Sequence, residues 1–255
     1  MNENSTLPVM LRALKLPSFV QHHAEVARTA EKQGWTFEQY LQHLAEIEHQ
    51  ERKLRRIEKN LRASELPREK TLGQLNLERL PTVVRRQLPT LCEGGFADRA
   101  ENILLFGLPG RGKSHTACAI GHELVRRGLT VHFTPAFKVV QRLLAAKRDL
   151  KLERELRRLD AFDVLILDDI GYIQQDRDEM EVLFTLLAER YERRSVVITS
   201  NLVFSQWDRI FKDPMTTAAA IDRMVHHAVI LDMTGKSKRA EDALERNGFT
   251  VEAGA

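Results

Sequence analysis

Cysteine is scarce in this 255-residue chain, and long apolar runs are missing altogether. The two cysteines, Cys92 and Cys118, stand far apart. Cys118 falls in a helical pattern where a small buried thiol is the expected role, which suits a reducing compartment. At the N-terminus Arg12 and Lys15 interrupt the apolar residues. No stretch approaches the roughly 18 continuous apolar residues of a membrane span, so a cytoplasmic protein with no membrane partner is expected. Nine histidines give no metal motif: His122-Glu123 has no second histidine four residues on, and zinc chemistry is not expected. No internal repeat is visible. Net charge is only +3, so the distribution of charge matters more than its sum.

What is present is ordinary in bulk and informative in detail. A 43% hydrophobic content supports a sizeable core, and the length fits one domain plus something smaller. From Phe37 the positions Phe37, Tyr40, Leu41, Leu44, Ile47, Leu54, Ile57 and Leu61 predict one long amphipathic helix capped by Thr36. A shorter helix, about 18–32 and ended by Gly34, precedes it. Residues 1–64 therefore read as a small all-helical domain. Pro67, Gly73, Pro81, Pro89 and Gly94-Gly95 mark 65–100 as a linker and the start of the second domain.

From 101 onward apolar runs (102–106, 129–133, 163–167, 195–199, 228–231) alternate with helical patterns (114–127, 136–147, 177–192, 204–211, 215–226). This alternation predicts an α/β fold, a parallel sheet flanked by helices that binds ligand at the carboxyl ends of its strands. This second domain is read as 101–240, and 241–255 as a loosely ordered tail.

The first apolar run leads into Gly107-Leu108-Pro109-Gly110-Arg111-Gly112-Lys113-Ser114, a complete phosphate-binding loop opening a helix. Glycines let backbone N–H groups point at phosphate oxygens, and the helix dipole adds positive potential. Lys113 is the expected contact to the β- and γ-phosphates of ATP, and Ser114 the expected ligand of its Mg²⁺. The run 164–167 ends in Asp168-Asp169. Read with the loop, Asp168 holds the Mg²⁺ hydration shell beside it and Asp169 polarises the attacking water; read alone, the pair is a strand ending in a turn. A third run ends in Thr199-Ser200-Asn201, where Asn201 is either a γ-phosphate contact or only a turn residue.

Between 52 and 62, six basic residues (Arg52, Lys53, Arg55, Arg56, Lys59, Arg62) face one acid, Glu58. Arg148, Lys151, Arg154, Arg157 and Arg158 form a second basic group. Such density suits a phosphate backbone, and it also suits a solvated helix face.

The order Gly107-x4-Gly112-Lys113-Ser114, Asp168-Asp169, Thr199-Ser200-Asn201, Ile221-Asp222-Arg223 resembles the AAA+ ATPases of the helicase-loader branch. Within that branch the chain is similar to the IstB family of helper ATPases of bacterial insertion sequences. The matches are Lys113-Ser114-His115, Ser205-Gln206-Trp207, Phe211-Lys212-Asp213-Pro214, Ala220 to His226, and Gly235-Lys236-Ser237-Lys238-Arg239. The resemblance covers about 10–240. It adds His115 to the nucleotide-contacting loop, makes Arg223 an arginine finger reaching a neighbour's ATP, and makes Arg239 a further phosphate contact. It implies a homo-oligomer with ATP at subunit interfaces, N-terminal helices that grip duplex DNA, and a cognate transposase as partner. Many members carry Asp-Glu where this chain has Asp168-Asp169, which shortens the reach of the expected base. Two rivals stand beside this reading: a loader of the replicative helicase, and a nucleotide-gated architectural DNA-binding protein with slow hydrolysis.

Overall fold

The computed structural model describes residues 6–172, 177–202 and 224–233. The chain forms two compact units, Met1–Lys59 and Asn60–Ala255.

The first unit is helical: α1 (Thr6–Ala13), α2 (Pro17–Gln33) and most of α3 (Phe37–Ala63). Thr36 and Gln39 cap α3 reciprocally: the Gln39 N–H donates to Thr36 Oγ1 (3.2 Å), and the Thr36 N–H donates to Gln39 Oε1 (2.8 Å). Leu11, Val26, Ala30 and Leu44 form the buried interior. Glu48 is buried with them. Burial alone would raise its carboxyl, but hydrogen bonds from Arg52 and the Ser18 backbone outweigh this and hold its pKa below the ordinary carboxylate value.

In the second unit five parallel strands, β1 (Asn102–Phe106), β2 (Val131–Pro135), β3 (Val164–Asp168), β4 (Ser195–Ser200) and β5 (Ala228–Asp232), lie in the order β2-β3-β4-β1-β5. The apolar runs of β1, β3 and β4 are buried, as a sheet covered on both faces requires; of the two edge strands β2 is largely buried and β5 is not. Around them lie α6 (Lys113–Arg126), α7 (Ala136–Arg148), α8 (Leu152–Asp160) and α9 (Arg177–Arg190). Val139, Leu143, Leu159, Leu165, Leu183 and Ile198 belong to one buried cluster. Both cysteines are free and buried, and burial raises their pKa to about 11 (Cys92) and about 12 (Cys118).

Two expectations change. The segment 65–100, read as a linker or a region of short elements opening the second domain, is largely ordered. It carries short 3-10 turns, α4 (Thr82–Glu93) and α5 (Gly95–Asp98). Val84, Leu88, Leu91 and Cys92 recur at helical spacing and are buried, which outweighs the interruption at Pro89. The units also divide a few residues before 64, because residues 60–67 are tied to the sheet unit. Asn60 approaches the Gly128 and Leu129 carbonyls, and the Phe133 N–H donates to the Ser64 carbonyl at 2.7 Å. His122 Nε2 likewise donates to the Pro67 carbonyl at 3.0 Å.

Candidate phosphate-binding site

The loop after β1 turns on glycines with left-handed backbone: Gly107 (φ 145°), Gly110 (φ 80°) and Gly112 (φ 84°). At Gly107 a Cβ would stand 2.7 Å from the Met233 carbonyl oxygen, so only glycine fits there. Gly112 then serves as the N-cap of α6. Left-handed residues alternating with an ordinary one at Arg111 turn successive N–H groups inward, an anion-binding concavity at a helix N-terminus. Leu108 and Pro109 are exposed at its tip, while Ser114 and His115 occupy the first turn of α6.

Lys113 is 6% exposed. Its Nζ donates to the Gly107 carbonyl (2.6 Å), the Leu108 carbonyl (2.9 Å) and Asn201 Oδ1 (2.6 Å). Asn201 Nδ2 in turn donates to Asp169 Oδ1 (2.9 Å), so the lysine, the amide and the second acid form one chain.

The first acid is not beside the loop's own strand. β4 lies between β1 and β3, so it is the Thr199-Ser200-Asn201 end that neighbours the loop, and Asp168-Asp169 stand one strand further out. Chain order cannot reveal this, because parallel strands joined by helices need not pair in sequence order. Thr199 spans the gap. Its buried hydroxyl donates to Asp168 Oδ1 (2.6 Å) and accepts the Asp169 N–H (2.8 Å). Asp169 holds a left-handed backbone (φ 63°), which a short acidic side chain tolerates. Reading the sequence missed Thr199 as a functional residue; its one signal is a hydroxyl where an apolar strand reaches the ligand edge.

The ring of His115 is engaged elsewhere: Nε2 donates to the Thr71 carbonyl at 3.0 Å, fastening the 65–75 segment onto α6. Arg223 and Arg239 lie outside the described residues, as do the 205–214 and 235–239 motifs. Of the basic residues, Arg52 Nε donates to Glu48 (2.6 Å), and Arg55 reaches Glu48 (3.5 Å) and Glu51 (3.8 Å). Lys53, Arg56 and Lys59 are exposed on the same helix. Arg148 is exposed, and Lys151 stands 3.6 Å from Asp149. Away from the site, Glu192, His226 and His227 bring three exposed ligand atoms within 4.8 Å of one another, at the edge where β5 begins. No sequence spacing announces that grouping.

The residues that surround the loop come from three strands in an order set by the sheet. Comparison with known proteins matches residues 9–246 to the family described as IstB-like ATP binding protein. The chain belongs to this family. An insertion sequence ATP-binding protein of Sinorhizobium fredii is 43% identical over 244 residues, which is 95% of the IstB-like chain and 82% of the relative. The insertion sequence IS21 ATP-binding protein of Pseudomonas aeruginosa is 35% identical, over 92% of this chain and 89% of its own length. Among solved structures, DnaI superposes with a TM-score of 0.56 at 20% identity, covering 67% of this chain and 96% of that one. At that identity the likeness is one of fold: the IstB-like chain has the AAA+ P-loop architecture.

Proposed function

We propose that this IstB-like protein is a Mg²⁺-dependent ATPase that assembles on duplex DNA with ATP between subunits and assists a transposase in using its target. The observation that carries the ATPase reading is the convergence of Lys113, Asn201, Asp169, Thr199 and Asp168 on one glycine-turned loop. The donor set fits a nucleoside triphosphate: inward N–H groups, a buried ammonium, and carboxylates at the strand ends. Lys113 and the loop N–H groups bind and orient the phosphates. Ser114 and Asp168 are the residues that would hold Mg²⁺, which when bound neutralises phosphate charge. Asp169 orients the attacking water and accepts its proton, and Asn201 fixes the position of Asp169. Arg223 from a neighbouring copy supplies positive charge to the transferred phosphoryl group, so hydrolysis waits for assembly. Arg239 is a second candidate for phosphate contact.

Insertion-sequence relatives and the basic faces support the DNA and transposase parts of the reading. Lys53, Arg56, Lys59 and Arg148 are exposed cations suited to phosphate contact, and Arg52, Arg55 and Lys151, which stand near carboxylates, can join them. The test is duplex-DNA binding at moderate salt with and without ATP and Mg²⁺. ATP is expected to strengthen binding and Lys113→Ala to abolish the gain; equal binding in both conditions defeats the proposal.

A second reading has its own observation. Asp169 is shorter than the glutamate that the family resemblance leads one to expect and is held by Asn201, which favours a nucleotide-gated DNA clamp that hydrolyses slowly. It expects Asp169→Ala to leave ATP-dependent DNA binding intact and change turnover little.

A further inference from the structure

Arg111 stands between the left-handed glycines Gly110 and Gly112, at the centre of the loop. Its Nε and Nη1 are buried and have no hydrogen-bond partner among the described residues. Nε carries one hydrogen and Nη1 two, so three N–H groups of a permanently charged side chain are unmatched. Arg111 as a whole is half-buried, and it is the Nε and Nη1 side of its guanidinium that is closed off from solvent. Buried donors are normally paired, and donors of a charged group left unmatched carry a cost that a ligand's acceptors would relieve. Lys113, two residues on, is the contrast, with three acceptors for its ammonium.

The backbone of any residue at position 111 would serve the loop, so the peptide does not explain the guanidinium. We propose that the Arg111 side chain is itself a ligand for phosphate oxygens of the bound nucleotide. An anion drawn into the concavity by the loop N–H groups brings acceptors to the orphaned donors, and the charge becomes paired only in the bound state. This chain then reads the phosphates of a nucleoside di- or triphosphate with two cations of its own, Arg111 and Lys113. The base plays no part in the contact. The inference rests on the nucleotide-binding reading above and specifies the phosphates as its target.

The test uses the full-length protein, Arg111→Met and Arg111→Lys, with binding of ATP, ADP and adenosine measured by competition against a fluorescent ATP analogue. Thermal unfolding without nucleotide is the second readout. Arg111→Met is expected to lose about tenfold or more in affinity for ATP and ADP, the scale of a charge-assisted hydrogen bond, and nothing for adenosine. Its Tm without nucleotide is expected to equal or exceed that of the unaltered protein, since an unmatched buried charge has gone. Arg111→Lys is expected to recover part of the affinity. Unchanged ATP affinity in Arg111→Met overturns the inference, and so does an equal loss for adenosine, which marks a structural role. Unchanged ATP affinity with loss of ATP-induced self-association also overturns it, because the guanidinium then meets a second copy. If the unaltered protein binds no ATP, the nucleotide reading itself fails. If Lys113→Ala abolishes binding while Arg111→Met does not, only the role of Arg111 falls.

Discussion

Replacing Thr199 by valine removes one oxygen and leaves the side chain's shape, so it isolates the hydroxyl that joins β3 to β4. That oxygen makes two bonds, to the Asp168 carboxylate (2.6 Å) and from the Asp169 N–H (2.8 Å). A hydrogen bond to a charged group contributes about 1.5–3 kcal/mol net, and a donor left unmatched costs about 1–3 kcal/mol. Both acids are half-buried, so water replaces part of each loss. The lower end applies, about 2 kcal/mol in all, or a Tm lower by roughly 4–8 °C for a domain of this size.

The functional effect is larger than the structural one. In the roles proposed for them, Asp168 and Asp169 must stand within a few tenths of an ångström of their positions, and a misplacement of about 1 Å can cost about 100-fold in rate. Steady-state ATP hydrolysis should show kcat lower by about 10–100-fold with KM changed by less than about threefold, because the phosphate loop is untouched. Thr199→Ser keeps the oxygen and should restore kcat to within about threefold while losing only the packing of a methyl group. A valine variant with normal kcat and a lowered Tm would show that Thr199 braces the sheet and positions nothing; an effect confined to KM would place its role in binding.

Arg190 is 1% exposed and donates to the carbonyls of Leu159, Phe162, Asp163 and Ser195. Burial draws its pKa down to about 10, which still leaves it charged at neutral pH. Arg190→Met orphans four carbonyls and should cost at least about 3–5 kcal/mol by urea denaturation, without a change in kcat for the fraction that remains folded. His132 is buried against Phe162, and burial lowers its pKa below the usual value near 6.5, outweighing the opposing pull of Glu65 and the Ala63 backbone. The unfolded chain then takes the proton first as pH falls. The contribution of His132 is complete above about pH 6.5 and erodes toward its folded pKa, with a slope of at most about 1.4 kcal/mol per pH unit. His132→Phe should flatten stability as pH falls below about 6.5, and an unchanged slope would refute the assignment. Lys53→Glu with Lys59→Glu should weaken duplex binding whatever the sequence and lower the salt slope by about 2. Arg52→Ala, which removes the nearer of the two cations beside buried Glu48, should lower the Tm of the helical unit as well; equal thermal effects of the two changes would undo that distinction.

The strands were legible in the sequence because each is a short run of mostly apolar residues, and α6, α7 and α9 because each keeps an apolar period; α8 was not, since its sequence reads first as a basic group. The loop was legible because its chemistry is local: glycines, lysine and serine act within eight consecutive residues. Two kinds of information were not. Strand order is a property of the folded sheet, so Asp168 read as the loop's neighbour when β4 in fact intervenes. Side-chain pairing across that sheet was equally hidden, which is why Thr199 passed as the end of a strand and Arg190 drew no notice. The α4 helix was obscured for a different reason. Pro89 interrupts the local hydrogen-bond pattern, but burial of Val84, Leu88, Leu91 and Cys92 decides the matter, and burial depends on what the helix packs against.

The same sheet order ties binding to chemistry in one physical chain. An ammonium has three N–H groups, and those of Lys113 meet two loop carbonyls and Asn201. A phosphate that engages Lys113 must compete with one of them. Both carbonyls belong to the loop backbone, whose glycine geometry is fixed by the close approach at Gly107, so the acceptor able to turn away is the Asn201 amide. Asn201 also donates to Asp169, and an amide that rotates to release the lysine carries its Nδ2 with it. The acid expected to act on water is therefore restrained by the same side chain that occupies the lysine. Lengthening the second acid to glutamate would alter that restraint as well as its reach, so the aspartate at 169 is matched to Asn201 by geometry and not simply a shorter version of the same base.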